Sequence, residues 1–221
     1  MFGGTDLEMG GTWLACSTSG RLAAITNYHS KTDTVNKFPK SRGEIPIHFC
    51  ESTLSVKDFA EGLRAVKKDY GGFSVFLFDG KSLICYSNRD PDHVVKDLSP
   101  GIYGLSNHLL DTPWPKVEKV KAAFENLPSE MTHSDATRIL LEEFQKARAV
   151  EDPIPTTMEE IEEELRSAIF VTLPTLGYGT RTTTIITFQE GIGFDVTEQN
   201  HKTPLSEPSL FHKRVECVRK T

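Results

Sequence analysis

The sequence predicts an α+β protein in which helices pack on antiparallel sheets. Three observations carry this. Two compact hairpin signals lie early in the chain, at Ser19-Gly20 and at Asp79-Gly80. Segments of helical period are grouped rather than alternating one by one with strands. The part of the chain after Ile169 is rich in β-branched and aromatic residues. The 221 residues are 38% hydrophobic and 25% charged, enough for one domain with a sizeable core. A single domain over residues 1–221 is expected, with residues 1–9 a loop or remnant.

The stretch Gly10–Tyr28 reads as two strands around Ser19-Gly20, the second ending on Thr26-Asn27-Tyr28. Residues 29–46 are polar, hold Pro39, Gly43 and Pro46, and read as an irregular connection before the apolar segment Ile45–Cys50. Ser55 and Asp58 have the spacing of a helix N-cap, and Val56, Phe59, Leu63 and Val66 share one face of the helix that follows. Gly71-Gly72 ends it. Phe73–Phe78 and Ser82–Tyr86 form the second hairpin, with Asn88-Arg89-Asp90-Pro91 in a loop beyond it. Ile102–Ser106 reads as a further strand.

Pro113 and Pro115 open a helix with Val117, Val120, Phe124 and Leu127 on one face, closed by Pro128. A longer helix begins near Ser134 and carries Ile139, Leu140 and Phe144. Residues 149–157 break the pattern, and Thr157 caps an acidic helix over 159–166 with Ile161 and Leu165 inward. Strands are expected at 169–173, 181–188 and 194–197, with 210–218 as a closing edge strand.

A formal net charge of −6 argues against a general nucleic-acid-binding face. No run reaches the roughly 18 apolar residues of a membrane span, and the Met1–Asp6 start has no signal-peptide character. Cytoplasmic synthesis is therefore expected. The four cysteines, Cys16, Cys50, Cys85 and Cys217, form no CxxC pair and are expected to be reduced and mostly in the core. The seven histidines show no zinc spacing, so no metal is expected. The glycines of Gly177-Tyr178-Gly179 lack the Lys-Ser/Thr of a phosphate loop.

Four segments carry a resemblance to a known family. They are Gly10–Tyr28, Gly101-Ile102-Tyr103-Gly104-Leu105-Ser106-Asn107, Asp111-Thr112-Pro113-Trp114 and Gly177-Tyr178-Gly179-Thr180-Arg181-Thr182-Thr183-Thr184. In wording and order they resemble the family of the second transport and Golgi organization protein, also called the NRDE family after an Asn-Arg-Asp-Glu motif. The resemblance implies a four-layer αββα sandwich like that of N-terminal-nucleophile hydrolases. Members typically begin Met-Cys, the Cys being the nucleophile. This chain begins Met1-Phe2, its Gly3–Glu8 match the family just before the first hairpin, and Asn88-Arg89-Asp90 precedes Pro91 rather than Glu. An N-terminally incomplete sandwich is therefore expected, with an exposed sheet edge, an uncovered apolar face and no enzymatic activity.

In related cysteine amidases an Asn at a strand end helps form the oxyanion hole, and a later Asn and Arg line the same pocket. The resemblance maps these onto Asn27, Asn107 and Arg181, with Tyr28 and Thr183 beside them. The amides can donate to an oxyanion and the Arg can hold a carboxylate. The plainer alternative makes Asn27 and Asn107 turn caps and pairs Arg181 with an acidic neighbour.

Three functions follow. The first is a non-enzymatic trafficking protein of secretory-pathway and Golgi organisation that mobilises haem as cargo, with possible Golgi or mitochondrial association implied by the resemblance. His29 and His108 are its candidate haem ligands. The second is a cysteine N-terminal-nucleophile amidase whose nucleophile this chain lacks. The third is a lipid or acyl-CoA binding module.

Overall fold

The computed structural model describes residues 1–28, 38–144, 155, 157–173, 176–201 and 207–218. The fold is mixed α+β, with three antiparallel or hairpin-built sheets and five α-helices among the described residues. The chain divides into two compact units. The first is residues 1–112, 188–194 and 215–221, and the second is residues 113–187 and 195–214.

The first unit is built on a five-stranded antiparallel sheet in simple chain order. Its strands are β1 (Leu14–Cys16), β2 (Leu22–Asn27), β3 (Phe73–Phe78), β4 (Leu83–Ser87) and β5 (Lys96–Leu98). The β1–β2 turn places Gly20 at φ +80°, a conformation that strains any side chain with a Cβ. The period-2 side-chain alternation of β2 and β3 puts Ala23, Ile25, Phe73, Val75 and Leu77 into one core. Ile84 and Tyr86 of β4 join them.

Two helices cover that face: α1 (Glu44–Glu51) contributes Ile45 and Phe49, and α2 (Val56–Ala65) contributes Val56, Ala60 and Leu63. As expected, Ser55 Oγ accepts the Asp58 amide at 3.1 Å and caps α2. Gly43, at the start of α1, packs backbone to backbone on Gly11. A Cβ on Gly11 would lie 2.6 Å from the Gly43 carbonyl carbon, so both positions need glycine. On the other face of the sheet, Phe78, Phe188 and Phe194 form an aromatic trio, with centroids 4.9 to 6.5 Å apart.

The second unit contains α3 (Pro115–Glu125), α4 (His133–Phe144) and α5 (Met158–Ser167). A short hairpin pairs β6 (Thr172–Leu173) with β7 (Tyr178–Gly179). A three-stranded sheet in the order β10-β9-β8 completes the chain, from β8 (Thr182–Gln189), β9 (Gly193–Asn200) and β10 (Ser209–Glu216). Its parts are divided between the two units. Thr157 and Glu160 form a reciprocal capping box at the start of α5. Two lysines of α3 cap the other end: Lys116 Nζ donates to Leu165 O at 2.6 Å and Lys119 Nζ to Ser167 O at 3.4 Å. A cation on the last carbonyls of a helix satisfies orphan acceptors and opposes the negative dipole end.

The structure corrects several expectations. The connection before Cys50 does not run irregularly to residue 46, because α1 begins at Glu44. Pro46 lies in its first turn, where its missing N–H costs no helical hydrogen bond. Residues 29–37 lie outside the described residues, as do 149–154 and 156 of the expected break before α5. Ile102–Ser106 is not a strand. Local side-chain bonds hold that loop instead, with Gly104 N–H donating to Asp111 Oδ1 at 2.9 Å and Tyr103 OH to Ser99 O at 2.8 Å. On the side away from β3, β4 pairs with the unforeseen β5. The strand expected at 169–173 is paired only at Thr172–Leu173. In α5 the buried partner of Ile161 is Glu164, while Leu165 is only half-buried.

Candidate functional site

The residues singled out from the sequence fall into two groups, one in each unit. In the first unit the end of β2 meets the loop after β5. Asn107 and Asp111 hold positive φ, +43° and +53°, on either side of this meeting. Asn107 Nδ2 donates to the Asn27 carbonyl at 3.2 Å. The Tyr28 ring stacks on His108 at 4.6 Å, and the Tyr28 hydroxyl lies 2.8 Å from His108 Nε2. Ser74 Oγ on β3 donates to the His108 carbonyl at 2.8 Å.

The hydrogen-bond network assigns the His108 tautomer. Thr112 Oγ1 donates to Leu109 O at 2.8 Å, so at 2.9 Å it accepts the Nδ1 proton of His108. Nε2 is then unprotonated and accepts from Tyr28. Burial pushes the imidazole below its ordinary value, in keeping with that neutral form. Both ring nitrogens are engaged, so iron would have to displace the Tyr28 hydroxyl. Asn27 Oδ1 is fully buried and has no hydrogen-bond partner among the described residues. His29, the other candidate ligand, lies outside the described residues.

In the second unit Arg181 is exposed at the entry to β8 and makes no hydrogen bond or ion pair among the described residues through its guanidinium. Its carbonyl accepts the His201 amide at 2.8 Å. Thr183 Oγ1 lies 2.9 Å from His201 Nε2, and Phe170 meets that ring edge-on at 4.6 Å. Burial lowers His201 as well.

These two histidines give a pH prediction with a definite sign. A folded value below the unfolded one, about 6.5, means that the unfolded chain takes up protons first. The stabilisation is complete above the unfolded value and is lost as pH falls from there through the lower folded value. Thermal midpoints are expected to drop between neutral and mildly acidic pH, and the drop should be shallower in His108→Gln. An unchanged acid limb in that variant would remove His108 as a contributor.

One cleft was not among the sites expected from the residue pattern. A cleft of about 830 Å³ opens between α3, α4, α5 and residues 167–170. Leu127, Ile139, Leu140, Ile169 and Phe170 supply apolar walls, Ala122 and Ala123 leave the space, and Lys119 stands among the polar groups. Glu143 and Glu164 also line it. The one legible signal was Glu164 at helical spacing from Ile161, an acidic residue on an inward stripe. Among the described residues no group of three His, Cys, Asp or Glu is placed to hold a metal ion. Burial raises the thiols of Cys16 to about 11 and of Cys50 and Cys85 to about 12, so all three stay protonated at neutral pH.

Comparison with known proteins decides the family. The model of the Transport and Golgi organisation 2 family matches residues 1–203. The chain belongs to that family. It is 34% identical over 202 residues to the Transport and Golgi organization protein 2 homolog of Homo sapiens, covering 83% of this chain and 70% of that protein. The Mus musculus homolog is 33% identical over 201 residues with the same coverage. The Bos taurus protein is 32% identical over 200 residues. Among the described residues of this family member, no helix is long and apolar enough to cross a membrane.

Proposed function

We propose that this chain is a non-enzymatic trafficking protein of secretory-pathway and Golgi organisation that carries haem in the α3–α4–α5 cleft. The observation that carries the reading is the cleft itself. Its volume of about 830 Å³ suits a ligand of haem size, Leu127, Ile139, Leu140, Ile169 and Phe170 give it apolar wall, and Lys119, whose Nζ also donates to Ser167 O, is the cation that a propionate would meet beside Glu143 and Glu164. Among the described residues, none that lines the cleft is a His, Cys, Met or Tyr. Haem held by the described lining residues alone would lack a protein axial ligand, which suits a carrier that must release its cargo. The protonated thiols of Cys16, Cys50 and Cys85 are poor nucleophiles at neutral pH, so none of the three is offered as a catalytic group. For the fold, the αββα sandwich of N-terminal-nucleophile hydrolases remains the proposal that the family resemblance supports.

The test is an anaerobic haem titration of the folded chain followed by Soret absorbance. A saturable shift is expected, weakened about tenfold or more by Ala123→Trp, which adds bulk to the cleft, and unchanged by His108→Ala. No saturable shift would remove haem, and a loss caused by His108→Ala alone would move the site to the first unit. Competition by an acyl-CoA that displaces haem would instead favour the lipid-binding reading, which the same apolar walls support.

A further inference from the structure

The chain holds five tyrosines, and the surroundings of their hydroxyls differ. The Tyr28 hydroxyl lies 2.8 Å from His108 Nε2. That nitrogen is unprotonated, because the ring proton sits on Nδ1 and is donated to Thr112 Oγ1 at 2.9 Å. Tyr103 donates to the Ser99 carbonyl at 2.8 Å, an acceptor that takes no proton at neutral pH. Tyr70 donates to Glu44 Oε1 at 2.7 Å but is 3% exposed, enclosed in the core. Tyr86 is 1% exposed, and its hydroxyl has no hydrogen-bond partner among the described residues. Tyr178 is the most exposed of the five, at 59%. Only Tyr28 is both half-buried, within reach of a solute, and bonded to a base among the described residues.

The pair is held in place from several sides. Its rings stack at 4.6 Å. Ser74 Oγ donates to the His108 carbonyl at 2.8 Å, and Asn107 Nδ2 to the Asn27 carbonyl at 3.2 Å. The loop that brings in His108 carries positive φ at Asn107 and Asp111, strain that persists only where surrounding contacts over-determine it. Burial lowers the imidazole, which keeps it neutral and ready to accept. A phenol is hard to oxidise by one electron while it keeps its proton, since the product would be a strongly acidic cation. A base already seated on the hydroxyl takes that proton as the electron leaves.

We infer that Tyr28 is the preferred site of one-electron oxidation in this chain, with His108 as its proton acceptor. An electron passes from the phenol to a radical oxidant, here the carbonate radical anion. The O–H bond breaks and its proton bonds to Nε2. The products are a neutral phenoxyl radical, an imidazolium and carbonate. Nitrogen dioxide that meets the phenoxyl adds to the ring beside the oxygen, the ring proton shifts to that oxygen, and nitrotyrosine results. This modification site lies in the first unit and does not depend on haem in the helical cleft.

The test treats the full chain with peroxynitrite in bicarbonate buffer, a source of both radicals. Peptide mass spectrometry then reads the nitrated fraction at each tyrosine. Tyr28 is expected to exceed Tyr178 despite its lesser exposure. In His108→Gln, whose amide cannot take a proton, nitration of Tyr28 is expected to fall about tenfold, with Tyr178 and the circular dichroism unchanged. A parent chain whose nitration follows exposure, Tyr178 first, overturns the inference, and that result needs no variant to fold. So does a folded His108→Gln protein that keeps the parent's ratio of Tyr28 to Tyr178.

Discussion

Asn88→Asp is expected to destabilise the first unit by about 4 kcal/mol, the largest effect of any substitution proposed for this chain. Asn88 is 3% exposed and sits just after β4. Its Oδ1 accepts the Phe73 amide at 2.8 Å. Its Nδ2 donates to the carbonyls of Lys67, Tyr70 and Gly71 at 3.1 to 3.3 Å. One side chain thereby anchors the whole approach from α2 to β3. Aspartate keeps the acceptor but sets a carboxylate oxygen against three carbonyls in a buried site. Urea unfolding followed by circular dichroism measures the loss. The variant should regain part of it as pH falls, because the protonated acid restores an O–H donor. The folded value of the new carboxyl lies above its unfolded value, so the deficit is greatest at neutral pH. A midpoint within error of the parent would show that the approach to β3 is held by other contacts.

Arg21→Met should cost about 3 kcal/mol. Arg21 is 7% exposed, on the strand side of α1. Its guanidinium lies 4.5 Å from the Phe49 ring centroid, Nη1 donates to Phe49 O at 3.1 Å, and Nη2 donates to Leu54 O. It therefore fastens the end of α1 and the link to α2. Methionine keeps the apolar stem but removes both guanidinium donors; Phe49 O keeps the Ser52 amide at 3.2 Å, while Leu54 O loses its Arg21 donor. Arg21→Lys, with a single rotatable head, is expected to fall between the two. Equal stability of all three proteins in thermal unfolding would assign the anchoring to packing alone.

Much of the fold was legible where local chemistry decides structure. The two hairpins declared themselves by alternation and turn residues, and Ser55 and Thr157 announced their helices by capping spacing. Pro46 misled because a proline breaks a helix only beyond its first turn, and nothing local marks where that turn is. Ile102–Ser106 misled because Asp111, several residues away, takes the Gly104 amide that a strand neighbour would have used. Of the candidate site, the Asn27–Asn107 and Tyr28–His108 contacts joined residues that the sequence had already picked out. The helical cleft stayed hidden because it is made of missing volume at Ala122 and Ala123, and a void leaves no residue type as its signature.

The chain passes between the two units at 112–113, 187–188, 194–195 and 214–215. Three of these passages fall inside strands: β8 (Thr182–Gln189), β9 (Gly193–Asn200) and β10 (Ser209–Glu216). No single protease nick can release either unit, and no splice junction or deletion endpoint can separate them without severing a strand. Separating the two units along the chain would therefore take cuts at all four passages, three of them inside strands.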